Sequence, residues 1–182
     1  MIYLALDMDL AATAYVILGL LSWRPMSGYD VKGLVDQSTR FFWAASYGQI
    51  YPELRRLSDA GLIEGEERPQ GKRRRTVYSL TREGRARLRE WLDAEPEVYE
   101  LRDEGLLKLF FASASPATAA STLEAKRRAH EQTIERLREI EATGKPEGFA
   151  LIVLRYGIEM NEWMADWCAR AAADLDAPER AA

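Results

Sequence analysis

The most constraining stretch of this 182-residue chain is residues 46–60, because it carries a start signal, a buried stripe and a stop signal together. Ser46-Tyr47-Gly48-Gln49 has the S-x-x-Q form of a capping box, in which both side chains satisfy free amides at a helix start. Ile50, Leu54 and Leu57 then fall within roughly 60° of one another at 100° per residue, a single narrow apolar stripe. Gly61 supplies the stop. A helix of this kind buries one line of side chains and leaves Gly48, Gln49, Pro52, Arg55, Arg56 and Asp59 facing outward. Pro52 is the irregularity: it removes a backbone donor, so either the first turn kinks or regular helix begins nearer Tyr51.

The flanking segments place this helix third in order. Residues 10–23 are apolar around most of a helical circumference, which suits a central position, and Arg24-Pro25 ends them. Ser27-Gly28-Tyr29-Asp30 is a capping box with Asp in the acid position and opens a helix to about Val35. Residues 36–45 form an aromatic connection containing Phe41, Phe42 and Trp43. Residues 62–68 and 74–80 are short strand candidates, the second alternating Thr76, Tyr78 and Leu80 against Val77 and Ser79, and they define a hairpin with a turn at residues 69–73. Thr81 is a plausible N-cap for a charged helix ending near Trp91-Leu92. Three helices followed by a β-hairpin make a winged helix-turn-helix, a fold class in which the third helix is free to enter a major groove.

Glu95-Pro96-Glu97 marks a change of character, and the division expected is a DNA-binding domain over residues 1–92 and a helical dimerisation domain over residues 93–182. Helices are expected over 101–112, over 115–142 with Pro116 in the first turn, and over 147–175. The fold class is therefore mostly α with a small β-hairpin wing. In the last helix Phe149, Val153, Tyr156, Met160, Trp163, Trp167 and Ala171 recur at steps of four and three, a seam about six turns long. The 115–142 helix offers it chiefly Leu123, Ile134 and Leu137, too few to cover the seam, so a second copy of the chain is the expected cover. Tyr156, Trp163 and Trp167 are also candidate walls for a flat apolar effector, although aromatic stripes at this spacing usually pack as core or interface.

Charge separates the two halves. The chain carries a net charge of −4, yet residues 1–92 hold 14 basic against 11 acidic residues and the remainder hold 11 against 18. Five basic residues and no acid lie between Arg68 and Arg75, including Lys72, Arg73 and Arg74 at the hairpin tip, where they would reach a sugar-phosphate backbone. A solvated turn is the plain alternative for such a run. On the outward face of the third helix, Gln49 is suited to adenine and Arg55 or Arg56 to guanine or phosphate, with Gly48 allowing close approach. No cofactor is expected. His130 is the only histidine and shares a stripe with Leu123, Ile134 and Leu137, which favours a packed, satisfied side chain. Cys168 is the only cysteine, so no internal disulfide, metal cluster or Cys/His nucleophile is expected, and the chain reads as cytoplasmic and non-enzymatic. The apolar run from Leu10 to Leu21 is too short to span a bilayer, and Asp7 and Asp9 argue against a secretory leader. A winged-helix module used for protein assembly without DNA remains the competing reading.

The strings Ala14-Tyr15-Val16-Ile17-Leu18-Gly19-Leu20-Leu21, Pro25-Met26-Ser27-Gly28-Tyr29-Asp30-Val31, Tyr47-Gly48-Gln49-Ile50-Tyr51-Pro52-Glu53-Leu54-Arg55-Arg56-Leu57 and Tyr78-Ser79-Leu80-Thr81-Arg82-Glu83-Gly84 resemble the PadR family of bacterial transcription regulators. Leu101 through Phe111 and Arg155-Tyr156-Gly157-Ile158, with Trp163 or Trp167 downstream, resemble its larger subtype with an extended helical C-terminal domain. The resemblance implies a homodimer on an inverted-repeat operator, usually a repressor released by a small molecule. It also implies that Pro52 belongs in the recognition helix and that Tyr51 packs or touches phosphate. The effector does not carry over.

Overall fold

The computed structural model describes residues 10–43, 45–70, 73–96 and 102–176, the side chains of Gln70 and Arg73 excepted. The chain forms two compact units, Met1–Glu97 and Val98–Ala182. The first is built around α1 (Ala12–Trp23), which buries Ala14, Tyr15, Ile17, Leu18, Leu20 and Leu21 and touches α2 (Gly28–Gln37), α3 (Tyr47–Asp59) and α4 (Arg82–Asp93). Its near-continuous apolarity is what a helix surrounded by partners requires. A 3₁₀ turn, Thr39–Phe41, lies in the aromatic connection between α2 and α3.

Both capping boxes form as the sequence expects, at Ser27 and at Ser46. Pro52, however, neither delays nor replaces the first turn of α3: the helix begins at Tyr47, five residues ahead of the proline. The cost of the proline is the hydrogen bond that a residue with an amide would give to the Gly48 carbonyl, four positions earlier. The helix closes at Gly61, whose φ of 71° is the left-handed conformation glycine adopts without strain. The Gly61 amide donates to the Ser58 carbonyl (3.0 Å) and the Leu62 amide to the Leu57 carbonyl (2.9 Å), so the reversal leads straight into the sheet.

That sheet has three strands. β1 (Met26–Ser27) pairs with β3 (Arg73–Leu80), and β3 pairs with the edge strand β2 (Ile63–Gln70), all antiparallel. The two-residue β1 carries no readable periodicity and was not foreseen. The hairpin ladder also runs further than the alternation suggested, with Pro69 opposite Arg74 and Gln70 opposite Arg73, so Pro69 and Arg73 belong to strands and not to a turn. Proline is tolerated there because β2 has a free edge. Thr81 caps α4 by accepting from the Gly84 amide (3.0 Å) and donates to the Gly61 and Leu62 carbonyls (2.8 and 2.9 Å).

The second unit is helical: α5 (Glu104–Phe110), two 3₁₀ turns, α6 (Ala119–Ala142) and α7 (Gly148–Asp176). α5 starts three residues later than expected because Asp103 is its N-cap, accepting from the Leu106 amide (3.0 Å) and pairing with Lys126 on α6. Pro116 lies in a 3₁₀ turn (Pro116–Thr118), and α6 begins only at Ala119. α6 and α7 pack along their lengths through Leu123 and Leu137 on one side and Leu154, Ile158 and Cys168 on the other. Within that contact His130 Nδ1 lies 2.8 Å from Asn161 Oδ1, and the Asn161 amide donates to the Gly157 carbonyl (2.7 Å). The histidine is thus packed and satisfied.

Two glycines in the first unit should respond oppositely to alanine. A Cβ on Gly84 would stand 2.0 Å from the Leu62 carbonyl oxygen, which α4 and β2 must separate to admit. Gly84→Ala is expected to cost about 3 kcal/mol or more, read as a fall in the urea midpoint at unchanged m-value. Gly19, inside α1, meets nothing within 4 Å among the described residues, and Gly19→Ala should raise stability by about 0.5–1 kcal/mol.

Candidate nucleic-acid interface

Ile50, Leu54 and Leu57 are fully buried, and α3 contacts α1, α2 and β2 with that stripe. The opposite face is therefore fixed: Ser46, Tyr47, Gly48, Gln49, Tyr51, Pro52 and Arg55 are exposed and Arg56 is half-buried. Tyr47 and Tyr51 stack with ring centroids 6.1 Å apart. Two features of α2 support that pair. A Cβ on Gly28 would come within 2.9 Å of the Tyr51 ring, so glycine lets α2 and Tyr51 meet closely. Lys32, nearly buried and paired with Asp36, holds its ammonium 5.3 Å from the Tyr47 ring centre. The i, i+4 spacing of Lys32 and Asp36 is visible in sequence, but their proximity to Tyr47 arises only from the crossing of α2 and α3.

The polar groups on this face are not equivalent. Gln49 closes the capping box: its carboxamide oxygen accepts from the Ser46 amide (2.9 Å) and hydroxyl (3.1 Å). A bidentate contact to adenine needs that oxygen together with the amide nitrogen. The cap therefore leaves the Gln49 amino group as the part available to a ligand. Arg56 donates to both Glu53 oxygens through Nε (3.2 and 3.1 Å) and through Nη2 (2.8 Å). Arg55 is exposed on the same helix and makes no ion pair among the described residues.

The wing is less cationic in space than along the chain. Arg68 donates to Glu66 from Nε and Nη2 (2.9 and 2.8 Å), Arg74 to Glu67 (2.8 Å), and Arg75 lies 3.6 Å from Asp30. The acids that face these arginines come from β2 and α2, outside the 68–75 run. Lys72 lies outside the described residues, as does the Arg73 side chain.

Asp30 joins wing and helix-turn-helix. The Ser27 amide donates to its carboxylate, and this bond does most to hold the carboxyl below its usual range. Partial burial opposes it, while the Ser27 hydroxyl, Arg75 and Arg24 add to the lowering.

In the second unit, the sequence seam and the packed face of α7 are different faces. Leu154, Ile158, Asn161 and Cys168 are buried against α6. The line through Phe149, Val153, Tyr156, Met160, Trp163 and Trp167 is centred roughly 130° around the helix from them. Phe149 is 87% exposed, Tyr156 56% and Trp163 60%, while Met160 and Trp167 are half-buried. Two open concavities flank α5, sharing Glu104 and Leu107; none of Tyr156, Trp163 and Trp167 lines either. Those three aromatics form a stripe separate from both concavities.

A helix-turn-helix with a capped, outward-facing third helix and a basic hairpin, joined to a long-helix unit, is the build of a winged-helix regulator. Residues 17–90 match the model of the transcriptional regulator PadR-like family, and residues 101–176 match that of the virulence activator alpha C-terminal region. Residues 17–90 are thus a PadR-like transcriptional-regulator domain. The negative transcriptional regulator PadR of Bacillus subtilis (strain 168) is 39% identical over 111 residues, spanning 60% of this chain and 61% of that protein. The fold resembles a crystal structure of Bacillus subtilis PadR in complex with operator DNA, with TM-score 0.83 and 28% identity over 92% of this chain and 99% of that one. It also resembles Bacillus subtilis PadR in complex with p-coumaric acid, with TM-score 0.74 and 27% identity over 94% of this chain and 100% of that one. Among the described residues no helix is long and apolar enough to cross a membrane.

Because the folded Asp30 carboxyl titrates below its unfolded value, its contribution is fully present above about pH 4 and lost as pH falls through the lowered value. Asp30→Asn should therefore cost about 1 kcal/mol at neutral pH, with the gap to the parent closing under acid. Urea unfolding at several pH values checks this; a gap that stays constant down to the lowest pH would contradict it.

Proposed function

We propose that this chain is a cytoplasmic, non-enzymatic DNA-binding repressor that acts as a homodimer on an inverted-repeat operator and is released by a small aromatic effector. The observation that carries the proposal is the free face of α3: its stripe is wholly buried, so Tyr47, Gly48, Gln49, Tyr51, Pro52 and Arg55 are what the helix presents. In the division of labour proposed, residues 1–92 read double-stranded DNA and residues 93–182 dimerise. The N-terminal turn of α3 enters the major groove, with the free backbone amides of its cap toward phosphate. Arg55 and the Gln49 amino group address base edges, Ser46, Tyr47, Tyr51 and Arg56 the backbone, and Lys72 and Arg73 the flanking phosphates, which Arg74 reaches only in competition with Glu67. The operator complex of the PadR relative supports this reading, and the recorded role of that relative in negative regulation supports repression.

The exposed line on α7 supports the dimer. Phe149, Val153, Tyr156, Met160, Trp163 and Trp167 present an apolar strip that a second copy related by a two-fold axis would cover. The p-coumaric acid complex of the relative supports an aromatic effector, for which Tyr156, Trp163 and Trp167 are the proposed contacts once two copies meet. The assembly-module reading lacks a comparable supporting observation.

Anisotropy titrations with a mixed-sequence duplex at rising salt test the DNA reading. Log K should fall linearly with log salt, and Lys72→Ala, at a residue assigned to phosphate, should flatten the slope by about 0.9. Arg56→Ala should flatten it less, since Glu53 already holds that guanidinium. No binding at low salt would refute the reading. Sedimentation tests the dimer: the parent should run as a dimer at micromolar concentration, and Tyr156→Asp with Trp163→Asp should run as a folded monomer.

A further inference from the structure

On the reading that the wing meets DNA, we infer that Glu66 and Glu67 are specificity-determining residues that act by occupying the wing's own arginines and so suppressing indiscriminate phosphate binding. The hairpin register sets the arrangement. Glu67 stands opposite Thr76, and Arg74 is two residues along the same face; Arg68 stands directly opposite Arg75 on the other face, beside Glu66. Each of the three wing arginines whose side chains are described has a carboxylate: Glu66 for Arg68, Glu67 for Arg74 and Asp30 for Arg75. Arg74 and Glu67 are 81% and 63% exposed, in a position where a phosphate oxygen would compete for the same donors.

A carboxylate 2.8 Å from a guanidinium is a built-in substitute for phosphate. It lowers the number of counterions a duplex releases when the wing docks, and the counterion term is the sequence-independent part of affinity. Residues 63–80 carry five basic and three acidic side chains, so two of the strand acids in contact with arginine remove much of the excess that the tip would otherwise offer to any duplex. Discrimination is thereby left to α3. Asp30 is tied to the Ser27 cap and serves the fold, whereas Glu66 and Glu67 are exposed and hydrogen-bond only to their arginines among the described residues.

The test is equilibrium binding of the full chain to a mixed-sequence duplex across a salt series, comparing the parent with Glu66→Gln, Glu67→Gln, Arg74→Ala and the Glu67→Gln/Arg74→Ala pair. Removing either acid should tighten low-salt binding roughly threefold and steepen the salt slope by about 0.9 per arginine released to phosphate. Glu67→Asp, which keeps the charge, should retain the parental slope. In the Arg74→Ala background the Glu67 substitution should leave the slope unchanged, because its partner is gone. An equal effect with and without Arg74, or no effect at either acid, overturns the inference while leaving DNA binding intact. Failure of the parent itself to bind at low salt overturns both.

Discussion

The structure depends above all on the burial of three side chains of α3. Ile50, Leu54 and Leu57 have no exposed surface, and α1, α2 and β2 converge on them. Each such side chain is worth about 1.5–3 kcal/mol when fully buried. Rotating the helix by one residue would exchange them for Tyr51, Arg55 and Ser58, so its orientation has no near-isoenergetic alternative. The far end is tied as firmly. Gly61 reverses the chain, the Leu62 amide returns to Leu57, and Thr81 bonds the Gly61 and Leu62 carbonyls from the start of α4. Helix, wing and α4 thus share one junction, and the position of the hairpin relative to the outward face of α3 follows from that junction.

Much of this was legible because it depends on local signals. Both capping boxes, the α3 stripe, the Gly61 stop and the Thr81 cap involve residues within a few positions of each other, where sequence spacing and spatial spacing coincide. The misses share the opposite character. β1 has two residues and is defined only by its partner Val77-Tyr78, fifty positions on. Pro52 lies beyond the first turn of α3 and removes one hydrogen bond, to the Gly48 carbonyl, a loss that the packing of the buried stripe offsets and that spacing rules do not weigh. The roles of Lys32 beneath Tyr47 and of Gly28 beneath Tyr51 depend on how two helices cross. Gln49 is suited by its position to be both a cap and a base contact, and one carboxamide oxygen cannot serve both at once.

In the second unit the same amphipathic logic yields two faces on one helix. α7 gives Leu154, Ile158 and Cys168 to α6, and the bond between His130 and Asn161 lies inside that contact. A purely apolar contact between two long helices tolerates sliding by a turn. A polar pair with one buried member resists this, because a shift would leave the buried Asn161 carboxamide oxygen without its partner. Asn161 also returns to the Gly157 carbonyl of its own helix, which fixes the side chain before α6 is met. With the α6 contact set in this way, the aromatic line from Phe149 to Trp167 is held on the outside. The sparse apolar residues of α6 are not what leaves that line uncovered within one chain. The physical reason is geometric: the line lies on another side of α7.

Charge shows the gap between sequence and space most plainly. The run from Arg68 to Arg75 contains no acid, and along the chain it reads as an uncompensated cationic loop. Folding a hairpin brings into register residues that sequence windows keep apart, and here it sets Glu67 opposite Thr76, two residues along one face from Arg74, and Arg68 opposite Arg75. Direct opposition of Arg68 and Arg75 would be repulsive without Glu66 and Asp30 beside them. The carboxylates therefore have a structural use whatever the wing touches. Their exposure gives them a second one, because a group that shields an arginine from its neighbour also shields it from phosphate. A net charge counts neither effect, whereas the hairpin register determines both.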